Sequence, residues 1–211
     1  MKANVFVVFQ YLLPRHWLTA VIYRIARIRN RRVKDFLITQ FVRVFDVDLD
    51  EVRLDVPGDF ATFNEFFVRE LKDDARKIDD DNDEIISPVD GTVSFAGTIR
   101  GDSIFQAKGF DYSLGDLLAT DLEEVERYID GNFATIYLAP YDYHRGHAQL
   151  AGELVAARYV PGALFSVNEA TGTTLNGLFR RNERLIMHFR TAHGPAALIL
   201  VGALNVGSIS T

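Results

Sequence analysis

Arg184-Leu-Ile-Met-His-Phe189 and Ala196-Ala-Leu-Ile-Leu-Val-Gly-Ala-Leu-Asn-Val-Gly-Ser-Ile209 are two β-rich runs parted by Gly194-Pro195. Branched and aromatic residues bounded by Gly, Pro and Asp predict strands. The same composition recurs upstream at 85–87, 92–99, 133–139 and 153–160. Helical signals between these runs are short. Thr62-Phe-Asn-Glu65 has capping-box spacing ahead of Phe66, Phe67 and Leu71, predicting a helix over about 62–72. Thr120 to Glu123 repeats the signal, with a stop at Gly131. Strands therefore outnumber helices and do not alternate with long ones, so the pattern predicts an α+β chain with a mainly antiparallel β body rather than a βαβ sheet.

The first 45 residues read differently. The apolar run from Val5 to Leu13 stops at Pro14, far short of the ~20 residues that span a bilayer, and no small-residue cleavage site follows it. From Trp17 the apolar residues Leu18, Val21, Ile22, Ile25 and Ile28 recur at helical spacing, with Arg24, Arg27 and Arg31 on another side. That pattern predicts an interfacial amphipathic helix; a helix packed on its own domain with a solvated basic face fits it too. The expected division is a membrane-associating helical region at 1–45 and a β-rich catalytic-type domain at 46–211, incomplete at its C-terminus.

Composition narrows the chemistry. The 211 residues include no Cys, which excludes disulfides, thiolate catalysis and Cys-ligated metals. The net charge of -6 is uneven: eight basic and no acidic residues precede Asp35, leaving 15 basic against 29 acidic. A basic head on an acidic body points to an anionic surface, and the head's apolar content favours lipid over nucleic acid.

Chemistry-bearing residues concentrate in Pro140-Tyr-Asp-Tyr-His144-Arg-Gly-His147. On one side of a helical turn the two imidazoles share proton-transfer duties. With a third ligand from His188, His193, Asp142 or Asp90 they hold a metal; as hydrogen-bonding histidines they do neither. Ser87-Pro-Val-Asp90-Gly91 reads as a turn, or as an aspartate that orients a histidine. Tyr159-Val-Pro-Gly-Ala-Leu-Phe-Ser-Val-Asn168 is a packed turn or a ligand loop. Leu178 to Arg184 reads as a solvated hairpin tip or a salt-bridged cluster.

In this order the segments resemble the bacterial phosphatidylserine decarboxylases. The resemblance rests on Phe66-Phe-x-Arg69-x-Leu-Lys72, Ser87-Pro-Val-Asp-Gly91, Lys108-Gly-x-x-Tyr-Ser-Leu114, Asp142-Tyr-His-Arg-x-His147, Tyr159 to Asn168 and Phe179-x-Arg-Asn-Glu-Arg184. It implies a zymogen that cleaves itself to a pyruvoyl enzyme, lies peripherally on the cytoplasmic face of the cell membrane, and converts phosphatidylserine to phosphatidylethanolamine and CO2. Asp90 and His147 match the family's processing dyad, which activates a serine to attack the preceding glycine carbonyl. His144 matches the histidine of the decarboxylation step. Tyr159, Phe165, Ser166 and Asn168 become candidates for substrate contact. Trp17, Leu18, Val21, Ile22, Arg24, Arg27 and Arg31 become candidates for membrane contact. The resemblance calls for no metal or nucleic acid, but for a C-terminal α chain from the same precursor and a homodimer of cleaved pairs. The family's cleavage serine lies in a Leu-Gly-Ser segment expected beyond Thr211, so Gly207-Ser208 is not expected to be that site, and this chain alone is expected to be inactive. Lys77, where relatives often carry Pro, and Gly146 are smaller departures. The alternatives are a metal-dependent hydrolase using His144 and His147 and a non-catalytic lipid-binding homologue.

Overall fold

The computed structural model describes residues 2–79, 81, 84–107, 110–207 and 209. Three helices come first: α1 (Lys2–Leu12), α2 (Arg15–Ile25) and α3 (Arg31–Phe45). The short α4 (Phe63–Phe67) precedes β1 (Thr92–Thr98), β2 (Ser103–Ala107) and β3 (Phe110–Ser113). Then come α5 (Leu114–Leu118), α6 (Leu122–Glu126), β4 (Asn132–Tyr137) and β5 (Glu153–Val160). The chain continues through α7 (Glu169–Gly172), α8 (Leu178–Arg181), β6 (Arg184–Thr191) and β7 (Gly194–Val201). This is the α+β architecture expected. Its contacts gather into two units whose division runs through α2: Met1–Ala20 with Val93–Thr135 and Gly152–Thr211, and Val21–Thr92 with Ile136–Ala151.

The first unit is built on the antiparallel sheet β5-β6-β7, beside a β2-β3 hairpin and a β1-β4 pair. Along β6 the buried positions are Arg184, Ile186 and His188, the period of two that a strand imposes. Ile186 joins Ile99, Ile104, Leu117, Leu118 and Val125 in the main core, while Val7 of α1 packs with Phe165, Leu175 and Leu178 in a smaller one. Gln10, 1 % exposed, fastens α1 to the body: its Nε2 donates to Thr171 Oγ1 at 3.2 Å and its Oε1 accepts Ser166 N–H at 2.8 Å.

In the second unit Ile38, Val47, Val52, Phe60 and Phe66 form the core, with Phe41 and Phe63 against them. α4 begins as its capping box requires: Thr62 accepts Glu65 N–H at 3.1 Å, and Glu65 accepts Ala61 N–H at 2.6 Å. It stops at Phe67, earlier than the periodicity suggested.

Other expectations are corrected. The amphipathic pattern from Trp17 to Arg31 is not one helix. Asn30 takes the N–H groups of Arg32 and Val33 on its side chain, starting α3 and placing Ile28 between helices. The α6 cap is Asp121 rather than Thr120. Residues 85–87 are not a strand, and the final run ends at Val201, because Ala203 and Val206 exchange backbone hydrogen bonds around Asn205 at φ 69°. Leu178 to Arg184 is no solvated tip, although Arg180 does pair with Asp116 at 3.1 Å. Asn182 is fully buried, donating to Phe165 O and Gly202 O, both at 2.8 Å, and accepting Phe165 N–H at 3.1 Å. Arg184, 3 % exposed, donates to the carbonyls of Leu117, Arg180, Asn182 and Asp116.

Candidate active site

Two backbone hydrogen bonds join the segments that sequence singled out. Ile86 N–H donates to Gln149 O at 2.9 Å and His147 N–H to Pro88 O at 2.7 Å, so the Ser87-to-Gly91 turn lies against the histidine segment within the second unit. Ser87 Oγ closes the turn on Val89 O at 2.6 Å. Gly91 leaves it at φ 138°, where an added Cβ would sit 2.5 Å from Tyr137 O. Only glycine accepts both conditions.

The histidines do not share a helical turn, as their spacing suggested; residues 143–148 carry no helix. Each ring has its own surroundings. The His144 ring packs against Phe67, centroids 4.0 Å apart and tilted by 40°, and its Nδ1 lies 2.8 Å from Asp142 O. A carbonyl only accepts, so Nδ1 carries the proton and Nε2 is the basic nitrogen. Burial first, and then the charge of Arg69, push the His144 pKa down, while the Asp142 carbonyl and carboxylate oppose them. His147 is exposed, stacks on Tyr143 at 5.7 Å, and places Nε2 3.2 Å from the Tyr143 hydroxyl. Burial raises the pKa of that phenol, which therefore stays protonated.

Asp90 is held by Arg76, whose Nε and Nη2 reach its carboxylate at 2.9 and 2.6 Å while Nη1 reaches Glu51 at 2.8 Å. The two carboxylates hold the charge on Arg76, raising its pKa. Among the described residues no direct hydrogen bond links Asp90 to His147. Neither Arg76 nor Arg69 carries a sequence signal for a role at this site beyond the place of Arg69 in Phe66-Phe-x-Arg69-x-Leu-Lys72.

Tyr159, Phe165, Ser166 and Asn168 belong to the first unit. Tyr159 is 59 % exposed and donates to Glu183 at 3.0 Å. The other three form a packed turn: Phe165 is buried beneath Arg15, whose Cζ stands 3.7 Å from the ring centre, and its N–H is taken by Asn182. Ser166 Oγ meets Thr171 at 3.1 Å and Asn168 Nδ2 at 3.2 Å. His188, considered as a metal ligand, instead lies 2.8 Å from the Tyr128 hydroxyl and 3.6 Å from Glu124. Among the described residues no three His, Cys, Asp or Glu side chains form a metal-holding group. Ser208 and the Lys108-Gly109 step lie outside the described residues.

At the N-terminus, Trp17 is 66 % exposed and Arg24 and Arg31 are exposed, whereas Leu18, Val21, Ile22 and Arg27 are half-buried. Other helices expose as much apolar surface: Phe9 and Leu12 on α1, Phe36 and Val44 on α3. Lys34, counted with the basic head, is buried and donates to Asp35 and to the carbonyl of Pro57. No helix among the described residues is long and apolar enough to cross a membrane.

The ordered turn and histidine segment lie inside residues 63–211, which match the family model described as phosphatidylserine decarboxylase, while residues 5–46 match a second model described as PSD; the chain belongs to the phosphatidylserine decarboxylase family. Among its curated relatives, the phosphatidylserine decarboxylase proenzyme of Alcanivorax borkumensis is 47 % identical over 212 residues, covering 100 % of this chain and 73 % of the relative. The proenzyme of Bordetella pertussis is 46 % identical, covering 100 % and 71 %, and that of Legionella pneumophila strain Lens is 46 % identical, covering 96 % and 71 %.

Proposed function

We propose that this protein is a self-processing carboxy-lyase that converts phosphatidylserine to phosphatidylethanolamine and CO2 while resting peripherally on the cytoplasmic face of a membrane. The observation that carries the reading is the pairing of the Asp90 turn with the His144 and His147 segment in a chain of this family.

His147 Nε2 takes the proton of a serine hydroxyl of the precursor during self-cleavage. It already faces a hydroxyl, that of Tyr143, at 3.2 Å, the chemistry the step requires. Asp90, on the adjoining turn, offsets the imidazolium charge. A pyruvoyl group held beside these residues would supply the electron sink for loss of CO2. His144 Nε2, the basic nitrogen, would first take up a proton released by the substrate ammonium and then return it to the substrate carbon as CO2 leaves. Tyr159, with its exposed ring, leads the set proposed for substrate contact; Phe165, Ser166 and Asn168 shape the turn behind it. The partners in this scheme are an α chain from the same precursor and a second cleaved pair. The residues proposed to contact anionic lipid are Trp17, Leu18, Val21, Ile22, Arg24, Arg27 and Arg31, of which Trp17, Arg24 and Arg31 are exposed. Each fully buried large apolar side chain contributes about 1.5–3 kcal/mol.

The test is expression from the complete gene, intact mass before and after maturation, and CO2 release from carboxyl-labelled phosphatidylserine vesicles. Cleavage with release is expected, blocked at cleavage by His147→Ala and only at turnover by His144→Ala. Absence of both cleavage and release refutes the proposal.

A further inference from the structure

Arg69, just past α4, is 4 % exposed. Its Nη2 donates to Tyr141 O at 2.8 Å and to Asp142 O at 3.3 Å, while Nε and Nη1 are buried without a hydrogen-bond partner among the described residues. Withdrawing a guanidinium from water with two donors unmet is expensive, and a packed apolar side chain would fill the space at lower cost. What the charge touches suggests its use. The Asp142 carbonyl that accepts from Arg69 also accepts His144 Nδ1–H at 2.8 Å. The Asp142 carboxylate accepts Ala139 N–H at 2.6 Å, pinning the turn from its other side. Phe67, two residues before Arg69, supplies the ring against which His144 packs.

We infer that Arg69 is a positioning residue for His144: by fixing the Asp142 carbonyl it keeps the imidazole proton on Nδ1 and presents Nε2 as the nitrogen that exchanges protons with substrate. The catalytic part of this inference rests on the role of His144 proposed above. The groups facing His144 are Arg69, Asp142 and the apolar ring of Phe67. Asp142 opposes the lowering of the His144 pKa, so removing the Arg69 charge moves the titration upward.

Arg69→Met and Arg69→Lys, made in the protein expressed from its complete gene, test it with two readouts. Imidazole 15N chemical shifts report the His144 tautomer and midpoint without any need for turnover. Wild type is expected to hold the Nδ1–H form above its midpoint. Arg69→Met is expected to mix the tautomers and raise the midpoint. Arg69→Lys, which keeps the charge but loses the planar fork, is expected to mix the tautomers with a smaller midpoint change. In vesicle assays both variants are expected to self-cleave, with Arg69→Met losing kcat on the order of a hundredfold, the scale of a misplaced catalytic group. An unchanged tautomer ratio in both variants overturns the inference, and Arg69→Lys alone decides it should Arg69→Met fail to fold. A wild-type protein that releases no CO2 sinks the proposed function instead, leaving the tautomer result to judge Arg69.

Discussion

Replacing Gly91 by Ala tests whether the Asp90 turn is as constrained as its geometry indicates. Two penalties add. At φ 138° a residue with a Cβ sits where backbone strain costs about 1–3 kcal/mol. The new Cβ would also stand 2.5 Å from Tyr137 O, 3.1 Å from Tyr137 C and 3.2 Å from Ile136 Cγ2. Two of these are backbone atoms at the end of β4, so relief requires either β4 or the turn to move. A total of about 3 kcal/mol is expected, which for a chain of this size lowers Tm by about 6–12 °C. Gly146→Ala is the control, since its Cβ would meet nothing nearer than Pro88 O at 3.7 Å and Val89 Cγ1 at 3.8 Å; it should stay within about 0.5 kcal/mol of wild type. Thermal melts by circular dichroism and an intact-mass time course of self-cleavage are the assays, and Gly91→Ala should impair both. A Tm within about 2 °C of wild type for Gly91→Ala, or an equal loss in the control, refutes the reasoning.

Other perturbations probe separate links. Arg76→Met frees the Asp90 carboxylate but breaks partly exposed ion pairs, so stability should change by only about 1 kcal/mol while self-cleavage slows; an unchanged cleavage rate would show that Asp90 needs no anchor. Asn182→Leu leaves Phe165 N–H, Phe165 O and Gly202 O without their buried partner and should cost about 3 kcal/mol or more by urea titration; a loss below about 1 kcal/mol would contradict the burial described. His188 has its pKa pushed below its ordinary value of 6.5, mainly by burial. The unfolded chain therefore takes the proton first, and stability present above about pH 6.5 is lost as pH falls toward the folded-state midpoint. His188→Gln should flatten the decline of Tm between pH 7 and 5, and an equally steep decline would assign it to other groups.

Where local composition governs structure, the sequence was readable. The run from Glu153 to Val160 is β5 to the residue, and Thr62 caps α4 as its spacing indicated. Pattern failed where a neighbour distant in the chain decided the outcome. In the β2-β3 hairpin Ser103–Ala107 shows no alternation, and although Phe110 and Tyr112 alternate with Asp111 and Ser113, that strand is only four residues long. Gln10 and Asn182 look like surface residues until Ser166, Phe165 and Gly202 are brought to them. Asp90, His144 and His147 were singled out through their motifs, and their segments do meet through Pro88. Arg69 and Arg76 act across longer stretches, on the carbonyls of residues 141 and 142 and on Glu51, so their roles emerge only after folding.

The grip of Gln10 changes how the protein should be trimmed. An N-terminal helix with exposed Phe9 and Leu12 invites deletion to obtain a better-behaved preparation. Cutting α1 away would strip Ser166 N–H of its acceptor and open a gap where Val7 covers Phe165 and Leu178. Charge-bearing replacements at Phe9 and Leu12 would lower surface stickiness while leaving that fastening intact.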